Sequence, residues 1–449
     1  MVKVLSNRLM PIILVLFYQI LTVFLYYWGP MEWPLYAEPW VLIFLVSVSC
    51  AFAAGSVFGV RGVAQPQQLR HWKKMILFGG ALSLVLLFPS SFYYTGKMPW
   101  QVIDALLDQG ATYSALAQKL EETDGQRTLI SLARSLSYPI IFATLSFGIL
   151  RWKQMSFFLW LAWLFVLVSF VVFSILRGTD REIFDIVIVV GASCLVVGVR
   201  DLNSHGSSVF AVLFNRKAFA FVIGVSVLGA LVFGVFSDRR LGRTGLSEAA
   251  LTSEISTEAG WLRKMCIRKT CANPNHPLMQ ASGTRLKYGV AMFSGYLSQG
   301  YFGLSLVLNE EFTSTFGIGH SKALTRVYER ITKDERLYER SYTHRLNNLG
   351  WDDSSQWSTI YVWIANDVGF HGTVAVLCVI GFVYGRSWRD ATEGGNDSAA
   401  IVFCFLAQLV AYIPANNQIA QTYDAYFAFG VWMVIWLAGG FKKSRSPFS

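Results

Sequence analysis

The stretch "LRGTDREIFD" (176–185) sets Arg177, Asp180, Arg181, Glu182 and Asp185 between two apolar runs, "FFLWLAWLFVLVSFVVFSI" before it and "IVIVVGASCLVVGV" after it. Its "TDRE" has the residue types of a capping box: Thr179 would accept from the backbone N–H three residues on, and Glu182 would reach back to the N–H of Thr179. With Gly178 supplying a turn, the spacing predicts one helix ending near Arg177 and a second beginning at Asp180, with Arg181 in its first turn. A helix N-terminus carries unpaired N–H donors and a partial positive charge, so it favours anions. Two guanidiniums beside it would bind phosphate oxygens bidentately without needing to titrate. Plainer roles compete with this one. Both arginines can snorkel to lipid headgroups, and Arg181 and Asp185 are four apart, as an ion pair on one helix face requires. Asp185 lies a turn inside the second apolar run, where an ionisable group is a salt-bridge partner or a functional acid or base.

The elements that must position these residues follow from composition. With 54% hydrophobic and 15% charged residues over 449 positions, and a positive mean hydropathy, the chain reads as an all-α polytopic membrane protein. Runs matching the roughly 20 helical residues that cross a hydrocarbon core of about 30 Å lie near 10–28, 39–60, 74–93, 132–150, 155–176, 183–199, 218–237, 368–385, 398–415 and 424–441. That predicts about ten transmembrane helices. Lys3 and Arg8, then Arg61, Arg70, Lys73 and Lys74, then Arg151 and Lys153, then Arg200, Arg216 and Lys217, then Arg386 and Arg389, and last Lys442, Lys443 and Arg445 fall on alternate sides of these spans. The positive-inside rule therefore places both termini in the cytoplasm. The hairpin at 176–185 is the short outer loop that breaks the pattern. The net charge of +10 is mostly this topology signal, and nucleic acid is not an expected partner.

Three units follow: spans one to seven (1–237), an extracytoplasmic segment (238–357) and spans eight to ten (358–449). Within the first, 98–122 places Trp100, Ile103, Leu106 and Leu107 at helical spacing, the pattern of a helix lying on the outer interface. Within the second, "AMFSGYLSQGYFGLSLVL" (291–308) contains three glycines, and predicts a packed or re-entrant helix and not an eleventh span. Cys266 and Cys271 are candidates for a short disulfide loop if the outer compartment is oxidising; no histidine cluster nearby suggests zinc.

The outer segment supplies the remaining candidates. Arg239, Arg240 and Arg243 either extend an anionic track or anchor the interface. Arg285 and Lys287 precede the apolar stretch, and Tyr296 and Tyr301 beside Gly300 could stack on sugars or pack in a core. "GIGHS" (317–321) is a glycine-rich turn opening a helix through Ser321, which would bring His320 to a ligand. The run 322–345 reads as a solvated helical face with ion pairs. Asp367, after Asn366 and just before span eight, has capping as its rival role. A general base is open among Asp367, Asp185, His344 and His320.

In architecture the chain resembles the O-antigen polymerases of the Wzy type and the related O-antigen ligases. The residues that carry the resemblance are the "RGTDRE" hairpin, "GYLSQGYFGLSLVL", "FTSTFGIGHSKAL" and "WSTIYVWIANDVGFHGT". The resemblance implies a glycosyltransferase of the bacterial cytoplasmic (inner) membrane with its active site facing the periplasm. It would use undecaprenyl-diphosphate-linked oligosaccharide as donor and acceptor, with no metal or other cofactor, and with membrane lipids and a chain-length-regulating co-polymerase as partners. Arg177 and Arg181 would bind and stabilise the departing diphosphate. The ligases share a His-Asn pair where this chain has "QWS" and "ND", which favours polymerase over ligase. A flippase of the lipid-linked unit, the alternative from another class, is disfavoured by the long charged outer segment and the lack of repeat-related halves.

Overall fold

The computed structural model describes residues 2–107, 112, 125–205, 266–267, 270–352 and 356–444. Its helices are α1 (Val2–Trp28), α2 (Trp40–Gly59), α3 (Trp72–Thr95), α4 (Val102–Leu107), α5 (Gly125–Leu150), α6 (Phe157–Leu176) and α7 (Arg181–Ser204). A two-strand hairpin follows, β1 (Cys266–Ile267) with β2 (Thr270–Cys271), then α8 (Pro277–Ala281), α9 (Gly283–Val307), α10 (Lys322–Thr332), α11 (Arg336–Glu339) and α12 (Tyr342–Arg345). The chain ends in α13 (Ile360–Thr392), α14 (Asp397–Ala411) and α15 (Tyr423–Ser444).

Among the described residues seven helices are long and apolar enough to cross a membrane: α1, α2, α3, α5, α6, α7 and α13. Two shorter apolar helices, Asp397–Ala411 and Tyr423–Gly439, occupy the places of the last two expected spans. The expected span at 218–237, and Arg239, Arg240 and Arg243 after it, lie outside the described residues, as does most of 98–122. The described part of that stretch, Pro99–Gln101 and α4, leaves Trp100, Ile103 and Leu107 exposed. Helices satisfy their own backbone polar groups, which makes them the form available to a chain this apolar in lipid.

The tightest helix contact follows from four glycines. "GSVFG" in α2 and "GFVYG" in α13 both read Gly-x-x-x-Gly, a spacing that lets two helix backbones approach closely. A Cβ on Gly55 would stand 1.9 Å from the carbonyl oxygen of Cys378, and one on Gly381 would stand 2.2 Å from that of Phe52. Gly59 and Gly385 are blocked in the same way by Phe382 and Ser56.

One end of the bundle is closed by ion pairs. Arg8 donates to both oxygens of Glu393, and Arg151 to Asp397 at 2.8 Å. Arg389 donates to Asp390 at 2.8 Å and also to the carbonyl of Arg61, while Arg200 donates to the carbonyl of Ala391 at 2.7 Å. Asp390 and Asp397 also accept from the backbone N–H groups of Gln65 and Leu69, which ties the extended 60–71 connection to the loop between α13 and α14. These arginines come from the loops that the Lys/Arg pattern assigned to one face, and the fold gathers them at one end.

At the other end, α9 packs on α1. Thr22 and Tyr301 share a hydrogen bond of 2.8 Å, Trp33 donates to Ser298 at 2.8 Å, and Gly300 lies against the Pro414 carbonyl. Cys271 is disulfide-bonded, and the hairpin register sets Cys266 opposite it. Substituting Gly381→Leu should destabilise the protein by about 2 kcal/mol, as overpacking of a tight contact does. Thermal unfolding in detergent, with Gly198→Leu as control because a Cβ there meets nothing within 4 Å, would measure the difference.

Candidate functional site

The hairpin at 176–185 forms where expected, by a different set of hydrogen bonds. Gly178 adopts φ +62° after α6. Its N–H donates to Ile175 O (2.9 Å) and that of Thr179 to Ser174 O (3.1 Å), the pair of bonds of a Schellman C-cap. The Thr179 N–H is thus already used, and the predicted capping box cannot close. Asp180 is the N-cap of α7 instead, and Glu182 accepts from the Thr179 hydroxyl (3.1 Å) and from Arg177. Arg181 pairs with Asp185 at 3.7 Å, the i,i+4 pair foreseen, and with its amide oriented to the network Gln418 Oε1 accepts from Arg181 Nε and Nη2.

A third arginine joins them. Arg134, in α5, pairs with Asp424 at 3.3 Å and lies over the rings of Tyr94 and Phe173. Arg177 lies over Phe173 as well. Arg134, Glu182, Phe173, Tyr138 and Ser90 line one cavity between α3, α5, α6 and α7.

The second constellation is built around Asp367. The helix α13 is interrupted at Gly369 (φ +69°), so the carbonyls of Asn366 and Asp367 stand free of the helical ladder. The Thr315 N–H donates to the Asn366 carbonyl (3.1 Å) and the Ser314 hydroxyl to that of Asp367 (3.3 Å). The Asp367 carboxylate accepts from Thr315 Oγ1 (2.5 Å), Gly319 N (2.8 Å), His320 N (2.9 Å) and His320 Nδ1 (2.8 Å). It holds a loop in place and does not cap α13. The other ring nitrogen, Nε2, lies 3.0 Å from Tyr426 Oη; when Nδ1–H donates to the carboxylate of Asp367, Nε2 is the nitrogen left to accept a proton. A histidine oriented by a carboxylate has the geometry of a general base. Ser321 caps α10 through Leu324 N, the helix opening foreseen from "GIGHS".

The two constellations meet in 416–426, the connection after α14 and the first turn of α15. Gln418 accepts from Arg181 and Asn417 donates to the His320 carbonyl (2.8 Å). Asp424 holds Arg134, and Tyr426 meets His320. The remaining candidates stand apart. Tyr301 is 1% exposed and bonded to Thr22, so it is a packing residue and not a sugar platform. Tyr296 packs on Trp357, and His344 on Tyr338. Arg285 and Lys287 lie in the first turns of α9. Asp185, 7% exposed and paired with Arg181, is placed as that arginine's counter-ion.

Sequence reasoning passed over Arg134, Gln418, Asp424 and Tyr426. The available signal was "ANNQIAQTYDAY", whose density of amides between two apolar runs is unusual; a reading of Lys and Arg alone registers it as an uncharged loop.

Removing the Asp367 carboxylate takes away the acceptor of the Gly319 and His320 N–H groups. In Asp367→Ala the amides of Gly319 and His320 should exchange about tenfold to a hundredfold faster, corresponding to ~1–3 kcal/mol for a lost buried partner. Tyr426→Phe should leave both amides protected, and hydrogen exchange with mass spectrometry reads both variants. Compared with known proteins, the chain matches no family model, no curated protein and no solved structure.

Proposed function

We propose that the chain is a glycosyltransferase that polymerises undecaprenyl-diphosphate-linked oligosaccharide repeat units into O-antigen or a related surface polysaccharide, on the periplasmic face of the bacterial inner membrane. The observation that carries this reading is that a single segment, 416–426, touches both the arginine cluster and the His320–Asp367 pair. Transfer from a lipid diphosphate needs those two capacities together, one to accept a proton and one to receive negative charge. The sequence resemblance to O-antigen polymerases points the same way.

In the proposed reaction an acceptor hydroxyl, displacing Tyr426, attacks the anomeric carbon of the donor. The bond from that carbon to the diphosphate oxygen breaks, and the hydroxyl proton passes to His320 Nε2. Asp367 stabilises the imidazolium and fixes its orientation. The released lipid diphosphate is received by Arg177, Arg181 and Arg134, which supply fixed positive charge where negative charge develops. Each of these guanidiniums already holds a carboxylate, so the diphosphate takes over existing pairings. Arg177 Nε is buried without a hydrogen-bond partner, a donor open to such a ligand.

The test is purified protein in nanodiscs, incubated with a defined lipid-linked repeat unit and resolved on a gel. The wild type should give a ladder on the lipid diphosphate, and His320→Gln should slow it by about 10²–10⁴-fold, the range for removal of a general base. Arg177→Ala and Arg181→Ala should lose the ladder with the fold intact. Normal polymer from both arginine variants would overturn the diphosphate assignment, and transfer of glycan to a different terminal acceptor would make the protein a ligase.

A further inference from the structure

The helix α10 follows His320 directly, and its sequence "KALTRVYERIT" has two faces. Leu324, Val327, Tyr328 and Ile331 fall on one side at three- and four-residue spacing, and Arg326, Glu329 and Arg330 on the other. A helix packed wholly on protein has its apolar side covered. Here Val327 is 39% and Ile331 is 75% exposed, while the buried positions are Ala323 and Thr325. In the turn before it, Phe316 is 73% exposed and holds φ +56°, a left-handed conformation costly for a bulky residue. The fold therefore maintains an unfavourable backbone that presents an aromatic ring outward.

The neighbours indicate what covers this surface. Arg330 reaches Thr128 at 3.5 Å, and Thr128 is the first residue of the apolar span in α5. From that point Leu129, Leu132 and Leu136 run along α5 with 66%, 56% and 59% exposure. On a helix apolar enough to cross a membrane such a stripe faces lipid. The Arg330–Thr128 contact brings the polar side of α10 to the top of that stripe, and Val327 and Ile331 on the other side are exposed near the same level. Arg326, Arg330 and Lys333 are exposed beside it. A helix with one apolar face, one basic face and a place at the top of a membrane span fits the headgroup boundary of a bilayer containing anionic lipid.

We propose that α10 and the Phe316 turn form a membrane-surface element, with Phe316, Val327 and Ile331 entering the boundary between headgroups and acyl chains and Arg326, Arg330 and Lys333 binding anionic phospholipid. This does not depend on the glycosyltransferase reading. It goes beyond the expectation of a solvated helical face with ion pairs over 322–345, of which Arg336 and its Asp334 partner are an example. It also sets the height of His320, which lies between Phe316 and α10, at the level of the lipid headgroups.

The experiment uses spin labels at Ile331→Cys, Phe316→Cys and Glu329→Cys in full-length protein whose Cys50, Cys194, Cys378 and Cys404 are replaced by serine or alanine, in nanodiscs containing phosphatidylglycerol. Labels at 331 and 316 should collide with oxygen several-fold more than with a water-soluble nickel chelate, and the label at 329 should show the reverse. Nickel access at 331 and 316 equal to that at 329 would overturn the proposal, as would low access to both reagents, which marks protein packing. Replacing Arg326, Arg330 and Lys333 together with glutamine should reduce immersion of the 331 label in anionic nanodiscs and leave it unchanged in phosphatidylcholine. Equal immersion of the 331 label in wild type and triple variant in the anionic discs would overturn the role given to anionic lipid.

Discussion

Asp390 and Asp397 are fully buried at one end of a largely apolar bundle, and the arrangement of the helices depends on their being paired. Removing an ion from water costs on the order of several kcal/mol, recovered when an opposite charge and further donors meet it in good geometry. Arg389 and Arg151 meet these two carboxylates, with Trp436 Nε1 and the backbone of Gln65 and Leu69 completing their shells. Those partners come from the connection after α2, from α5, from α13 and from α15. One cluster of charges therefore fixes the relative positions of helices far apart in sequence, and the glycine contact between α2 and α13 sets how closely two of them approach.

The opposite end uses the same chemistry without closing it. The Arg389 side chain is 8% exposed, whereas those of Arg134, Arg177 and Arg181 are 21%, 21% and 28% exposed. These three arginines each have a carboxylate, and Arg134 and Glu182 border a cavity lined also by Leu87, Ile141, Phe170 and Phe173 and by the hydroxyls of Ser83, Ser90 and Ser169.

Seven of the expected spans were legible because hydrocarbon length leaves few alternatives. The boundary of α6 at Leu176 and the start of α7 at Arg181 were readable from Gly178 and the polar "TDRE" after it. The capping box was misread because a motif names the groups that can bond without counting the ones already engaged, and the Thr179 N–H was engaged by the preceding helix. His320 and Asp367 were both visible as candidates, but their pairing was not, since 47 positions separate them. Arg134 and Asp424 were hidden for the same reason, one isolated in an apolar helix and the other at the end of a neutral loop. The exposed side of α10 escaped notice because its many charges mask its apolar spacing.

The interruption at Gly369 has a consequence for how the molecule can change over time. The carbonyls before it bind Thr315 and Ser314, so one residue in an apolar helix supplies the attachment point of the loop that carries His320. A side chain there would favour an unbroken span, and the loop carrying His320 would lose its acceptors. The lipid-embedded and water-exposed parts consequently cannot be exchanged or diversified as separate modules. A change on either side of this break reaches the other through the bonds of Thr315 and Ser314.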